Sequence, residues 1–172
     1  MSIIDTTYFI GPIALPTDNV NYTNKLQVYI DLSQRKELIR VLGYPLYKLF
    51  ISELPTPTSD RFTDILDGAE FTDVNGDLDK WQGLVNSEKE SMLAYFAYYE
   101  YSKNERSKQT GNGNASSLFE NSEHISPIDN EVTAYNLGVD QYKKLFEFLY
   151  ANEDDYPEWI YTDVSKGNIW NI

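Results

Sequence analysis

Apolar side chains recur along this chain at helical spacing in several stretches, and between those stretches the spacing breaks down. Over residues 23–42, Val28, Leu32, Ile39 and Leu42 follow at steps of four, seven and three, which gathers them on one helical face. Gln34, Arg35, Lys36 and Glu37 stand between them, so this reading turns the four apolar residues inward and the polar ones to water. Gly43 falls where a helix C-terminus favours a left-handed residue, and Pro45 where a following helix favours a fixed φ. Leu46, Tyr47, Leu49 and Phe50 then begin a short second helix, which ends at Leu54 because Pro55-Thr-Pro57-Thr-Ser59 cannot continue it. A third short helix after Ser59 or Asp60 carries Phe62, Ile65 and Leu66 as far as Gly68.

Residues 69–85 bracket Asn75-Gly76, a dipeptide that tolerates positive φ and predicts a β-hairpin with a two-residue turn. Ser87-Glu-Lys-Glu90 reads as a capping box at the start of a helix over residues 88–106. Met92, Phe96 and Tyr99 form its stripe, widened by Leu93, Tyr95 and Ala97. The clearest pattern comes last: after Ser126-Pro127, Val132, Tyr135, Val139, Tyr142, Phe146 and Leu149 alternate at steps of three and four. Such a heptad seam packs along another helix, most economically the one over 88–106. Leu145 and Phe148 lie off the seam and predict a second neighbour, and Asp154, Asp155 and Pro157 stop the helix.

Outside these elements, residues 1–22 hold Gly11, Pro12, Pro16 and Asn19 and read as an extended arm. Residues 107–126 are polar around Gly111-Asn-Gly-Asn-Ala-Ser-Ser117 and read as a flexible loop. Residues 160–172 mix Ile160, Tyr161, Val164, Ile169, Trp170 and Ile172 with turn formers, an apolar end that has to dock on something. The expected architecture is mainly α: a small helical bundle over residues 23–159 with one β-hairpin and extended N- and C-terminal arms.

With 172 residues this is one domain. Its 14 basic and 27 acidic side chains give a net charge of −13, so nothing attracts it to phosphates, and neither specific nucleic-acid binding nor an anionic membrane surface is expected. The absence of cysteine excludes disulfides, thiolate nucleophiles and Cys-ligated metals. No run of eighteen apolar residues occurs, and no basic residue precedes the apolar stretch 8–15 as it would in a secretory signal. The expectation is a soluble protein made in the cytoplasm. The unusual feature is aromatic content, 15% of the chain with 14 Tyr, 8 Phe and 3 Trp. Tyrosine suits a surface that is wet before assembly and covered after it, although core packing accounts for any single ring equally well.

Candidate chemistry is sparse. His124 is the one histidine and lies in the polar loop, without the two partners a nucleophile-activating triad would need. Asp73-Val-Asn-Gly-Asp77-Leu-Asp79 echoes a calcium loop, but Leu78 stands where the loop requires Gly and Leu84 where it requires a bidentate acid. A charged hairpin tip is the simpler reading, with weak calcium binding as its alternative. Gly111-Asn-Gly113 lacks the Lys and the Ser or Thr of a phosphate loop. No metal, cofactor or catalytic residue is therefore expected.

Several segments together carry a family likeness. Arg40-Val-Leu-Gly-Tyr-Pro-Leu-Tyr-Lys-Leu-Phe50, Ile65-Leu-Asp-Gly-Ala-Glu-Phe71, Trp81-Gln-Gly-Leu84, Met92-Leu-Ala-Tyr-Phe-Ala-Tyr-Tyr99, Thr110-Gly-Asn-Gly113 and Ala134-Tyr-Asn-Leu137 follow in that order. Over roughly residues 23–159 the chain resembles the head-to-tail connector (adaptor, or ring) proteins of tailed bacteriophages, and departs from them in its long polar loop and aromatic C-terminus. The resemblance implies a structural virion protein with no catalytic residues. Such a protein is assembled in the host cytoplasm and sits at the portal vertex or tail neck. It would form a homo-oligomeric ring, commonly twelve-fold, between the portal protein and tail or other ring proteins, with a negative lumen that lets DNA pass. Phe9, Ile10, Tyr142, Leu145, Phe148, Tyr161, Trp170 and Ile172 are the expected interface residues. Two other readings compete: a monomeric acidic phage protein covering a basic surface on a host or virion partner, and an enzyme built on paired carboxylates.

Overall fold

Gly43 sets the course of the first half of the chain. In the computed structural model, which describes residues 2–15, 20–106, 108–110, 113–115 and 127–160, a helix over Val20–Glu53 (α1) is broken at Gly43 (φ 70°, ψ 156°), and Pro45 sits in the first turn of its second half. A Cβ at position 43 would collide with the Ile160 carbonyl, so the helix break and the passage of the chain's far end depend on the same glycine.

The inward face of α1 is not the one its apolar spacing predicts. Leu26, Ile30, Leu38, Val41 and Leu42 are buried together with Ser33, Gln34 and Glu37, whereas Val28 and Leu32 are 55% and 63% exposed and Ile39 is half-buried. Of the four expected core residues, only Leu42 belongs to the core. The cause lies in the polar residues. The Gln34 side-chain oxygen accepts from the Ile3 amide at 2.6 Å, and Glu37 is met by Lys36 Nζ at 3.3 Å and Arg40 Nη1 at 3.5 Å. The partners of Gln34 and Glu37 offset the cost of turning this face inward, while the buried Ser33 hydroxyl has no hydrogen-bond partner among the described residues.

A short helix, Asp60–Asp67 (α2), buries Phe62, Ile65 and Leu66 as expected. The strands Ala69–Thr72 (β1) and Leu78–Trp81 (β2) pair antiparallel, with Ala69 opposite Trp81 and Thr72 opposite Leu78. Asn75-Gly76 does not form the predicted two-residue turn. Residues 73–77 make a longer loop gathered by Asp73, whose Oδ1 accepts from the Asn75 and Asp77 amides at 2.8 and 2.9 Å. The third helix, Met92–Arg106 (α3), starts later than the capping box predicts. Asn86 binds both backbone groups of Glu90 through its side chain, Lys89 takes a φ of 58°, and Ser91 Oγ accepts from the Leu93 amide at 3.4 Å. The longest uninterrupted helix, Pro127–Ala151 (α4), buries Ala134, Val139, Tyr142, Leu145, Phe148 and Leu149. A Cβ on its Gly138 would lie 3.0 Å from the Phe96 ring, so glycine lets α4 approach α3 closely.

Within the expected flexible loop 107–126, Lys108–Thr110 (β3) and Gly113–Ala115 (β4) pair as a second antiparallel ladder. The rest of that loop lies outside the described residues. The N-terminal segment is no free arm. It forms two 3₁₀ turns, Thr6–Tyr8 on α1 and Gly11–Ile13 on α4, and buries Ile4, Tyr8, Phe9 and Ile13. Four apolar side chains spaced by turns can reach a common core, and burying them favours contact over extension. After α4, a 3₁₀ turn at Glu153–Asp155 leads to Tyr156 and to Trp159, whose indole N–H donates to the Val41 carbonyl at 2.8 Å.

Among the described residues, four helices and two short ladders make a mainly α bundle in which α3 packs against both α1 and α4 and the β1–β2 hairpin lies on α4. No helix of the described residues is long and apolar enough to cross a membrane. The hairpin hangs on Trp81, which is fully buried and donates its indole N–H to the Ile65 carbonyl at 3.0 Å. Replacing Trp81 by Ala is expected to cost about 3–5 kcal/mol of folding stability, measured by urea denaturation followed by circular dichroism.

Candidate interaction surface

The carboxylates that the sequence singles out are committed to local structure. Asp73 Oδ1 serves the amides of its own loop, and Oδ2 accepts from the Asn75 side chain at 3.0 Å. The Asp77 backbone N–H above all holds the Asp73 carboxyl below the usual carboxylate range. Asp79 receives Lys144 Nζ at 2.5 Å, which lowers its own pKa and raises that of the lysine. Among the described residues no group of three or more His, Asp or Glu side chains is arranged to hold a metal ion, and His124 lies outside them.

An acidic recess of about 160 Å³ opens between α2 and the end of α4, lined by Asp60, Arg61, Asp64, Asn152, Asp155 and Tyr156. Burial, then Asp60 and Asp155, pushes the Asp64 carboxyl up. The cation and hydroxyl beside it are already engaged. Arg61 donates to the Asp155 carbonyl at 2.9 Å and to Glu158 at 3.0 Å, and Tyr156 Oη donates to the Arg61 carbonyl at 2.8 Å. The recess reads as a joint between two elements. A second cavity of about 280 Å³ beside Ile3, Leu54, Pro55, Leu66 and Val85 is largely apolar, with Asp67 as its acid. Ser2 also lines the second cavity, and its hydroxyl donates to Asp31.

The outer surface is more informative. On α1, Val28, Leu32 and Ile39 stand on the side away from the core, with the exposed Arg35 between them. Arg35 makes no ion pair among the described residues, whereas Lys36 binds Glu100 at 2.7 Å and Arg40 faces Glu37. At the hairpin tip, Val74 and Leu78 are 76% and 75% exposed, beside the exposed Asp77. Tyr44, Tyr150 and Ile160 add exposed apolar area; Tyr150 stacks on Phe146, which in turn meets Trp159 edge-on.

Most of the expected interface residues within the described chain lie elsewhere. Ile10 is 49% exposed, but Phe9, Tyr142, Leu145 and Phe148 are buried in the chain's own core. Tyr142 Oη donates to the Arg40 carbonyl at 3.4 Å, and Phe148 meets Phe71 and Tyr156 edge-on. The second neighbour of α4 is thus the hairpin and the turn after the helix, both from the same chain. Tyr161, Trp170 and Ile172 lie outside the described residues. The sequence reading places Val28 and Leu32 in the core and does not single out Val74 or Leu78, and all four are exposed. One available signal was that Leu78 and Trp81 stand three apart in a strand and so point to opposite faces. The other was that Leu26, Ile30, Leu38 and Val41 form a competing helical stripe.

Three tyrosines, Tyr8, Tyr95 and Tyr156, have pKa values raised chiefly by burial. A neutral phenol is favoured more in the folded chain than in the unfolded one, so stability is intact below the ordinary tyrosine value of 10.0 and falls as pH rises past it. The urea midpoint is expected to drop above that pH, and Tyr156→Phe, whose ring cannot ionise, to show a shallower drop.

Comparison with curated proteins and with solved structures gave no match. A family model does match, over residues 38–169, from the middle of α1 to beyond the last described residue. The chain belongs to that family, DUF6712, a family of unknown function.

Proposed function

We propose that this chain is a structural virion subunit of the head-to-tail connector kind. Copies form a homo-oligomeric ring, commonly twelve-fold in the proteins it resembles, that joins the portal protein to tail or other ring proteins at the tail neck, and DNA passes through the lumen. The observation that carries the reading is a helical body with a complete core that still exposes large apolar side chains in separate places: Val28 and Leu32 on α1, and Val74 and Leu78 at the hairpin tip. Exposed apolar side chains grouped on one helical strip and one hairpin tip support contact with other proteins. The net charge of −13 supports it, since an acidic wall repels the phosphates of passing DNA. The order of motifs over residues 23–159 supports it as a resemblance.

Sedimentation velocity and negative-stain electron microscopy of the purified chain, alone and with the portal protein of the same virus, test the reading. Closed rings or a ring on the portal are expected. A chain that stays monomeric and ignores the portal overturns the reading.

Trp159 is held by Val41, and the sequence beyond it is rich in apolar residues. Deleting residues 160–172 is therefore expected to leave helicity unchanged by circular dichroism while weakening assembly in sedimentation. Loss of helicity would assign the segment to the fold.

A further inference from the structure

The two exposed apolar features differ in a way that makes them complementary. At about 100° per residue, Val28, Leu32, Arg35 and Ile39 fall within about 60° of one another on α1, centred about half a turn from the buried Ile30, Glu37 and Val41. The result is an apolar strip with a cation in its middle. The hairpin tip is the converse, with the apolar Val74 and Leu78 beside an acid, Asp77. Asp73 and Asp79 are held by the loop amides and by Lys144, and Lys36 and Arg40 by Glu100 and Glu37. Among the described residues of these two features, Arg35 and Asp77 are charged side chains with no ion pair.

The features are also tied to different faces of α4. On α4, Tyr142 reaches α1 through the Arg40 carbonyl, while Lys144 and Phe148 hold the hairpin through Asp79 and Phe71. Lys144 and Phe148 stand about 200–240° around the helix from Tyr142. The strip faces outward from α1, and both features are exposed, so one chain does not satisfy itself. A surface and its complement on different faces of one subunit make a head-to-tail contact, which closes into a ring or extends as a filament, whereas a two-fold dimer would need both on one face, where each contact is made twice.

We infer that the hairpin tip of one copy seats on the α1 strip of the next, with Val74 and Leu78 against Val28, Leu32 and Ile39, and Asp77 on Arg35. This rests on the ring reading and names the contact that builds the ring. The Arg35 stem adds apolar surface to the strip, and its charge fixes the register.

The chain has no cysteine, so Leu32→Cys and Leu78→Cys each introduce a single thiol at an exposed position. Mixed and treated with a short bis-maleimide, the two variants are expected to yield a cross-linked pair containing one of each, with little product from either variant alone. Arg35→Glu is expected to weaken self-association about ten-fold by sedimentation, and adding Asp77→Lys to restore it. Rings that form without the mixed product, or with Leu32→Cys linked chiefly to itself, overturn this contact and leave the ring reading standing. A wild-type chain that is monomeric at every concentration and does not bind the portal overturns both.

Discussion

From Ser91 to Tyr98 every residue is buried, so α3 begins with no side left for water. A helix apolar all round has to be enclosed by its neighbours, and the surrounding architecture follows from that demand. The first half of α1 covers one side, joined through Tyr29 against Tyr101 at 5.6 Å and through Lys36 on Glu100. α4 covers another, and comes close because Gly138 leaves room for the Phe96 ring. The N-terminal turns are fastened at the head of α3: the Asn86 amide donates to Tyr8 Oη at 3.3 Å, and Lys89 Nζ to Thr7 Oγ1 at 2.6 Å. A segment with Gly11 and Pro12 in it thus joins the core, with its turns on α1 and α4 and its ties to the loop that leads into α3.

The same demand explains which parts of the fold were legible beforehand. Apolar spacing reports correctly where a helix meets its neighbours through apolar side chains alone, as in α2 and along the Val139, Tyr142 and Leu149 seam of α4. It misleads where polar groups are buried with partners. On α1, Gln34 and Glu37 occupy the inner face, and nothing in the sequence shows the Ile3 amide or the Arg40 guanidinium that lets them turn inward. The start of α3 was misplaced for a related reason. Ser87 Oγ donates to the neighbouring Glu88 carboxylate at 2.7 Å, and Asn86 closes the loop through Glu90. A capping box is a local pattern, and a side chain one residue upstream won the competition.

The candidate surface was less legible than the fold, because aromatic abundance does not separate rings meant for neighbours from rings meant for the core. Tyr142, Phe148 and Tyr156 show why. Each is large enough to fill a gap between elements, and Tyr142 and Tyr156 have hydroxyls that end on backbone carbonyls. Tyrosine's two-sided chemistry serves a small bundle that joins helices to turns as well as it serves an interface. What marks a residue as available is the absence of anything over it, which only the assembled chain reveals: aliphatic Val28, Leu32, Val74 and Leu78 are more exposed than most of the rings.

Rigidity is what makes these aliphatic positions usable. Ordering a flexible segment on association opposes binding by roughly 0.5–1.5 kcal/mol for each side chain immobilised, and both exposed features avoid much of that cost. The α1 strip is borne on a helix whose opposite face is fully packed. The hairpin is held at its base by the Trp81 indole on Ile65, along its side by Phe71 on Phe148 and Asp79 on Lys144, and at its tip by the Asp73 carboxylate drawing in the loop amides. A hairpin needed only to close the core could end in any polar turn. One stiffened up to an apolar tip presents Val74 and Leu78 in a fixed geometry, and in the proposed ring a fixed geometry on both partners would let many copies repeat the same angle between neighbours.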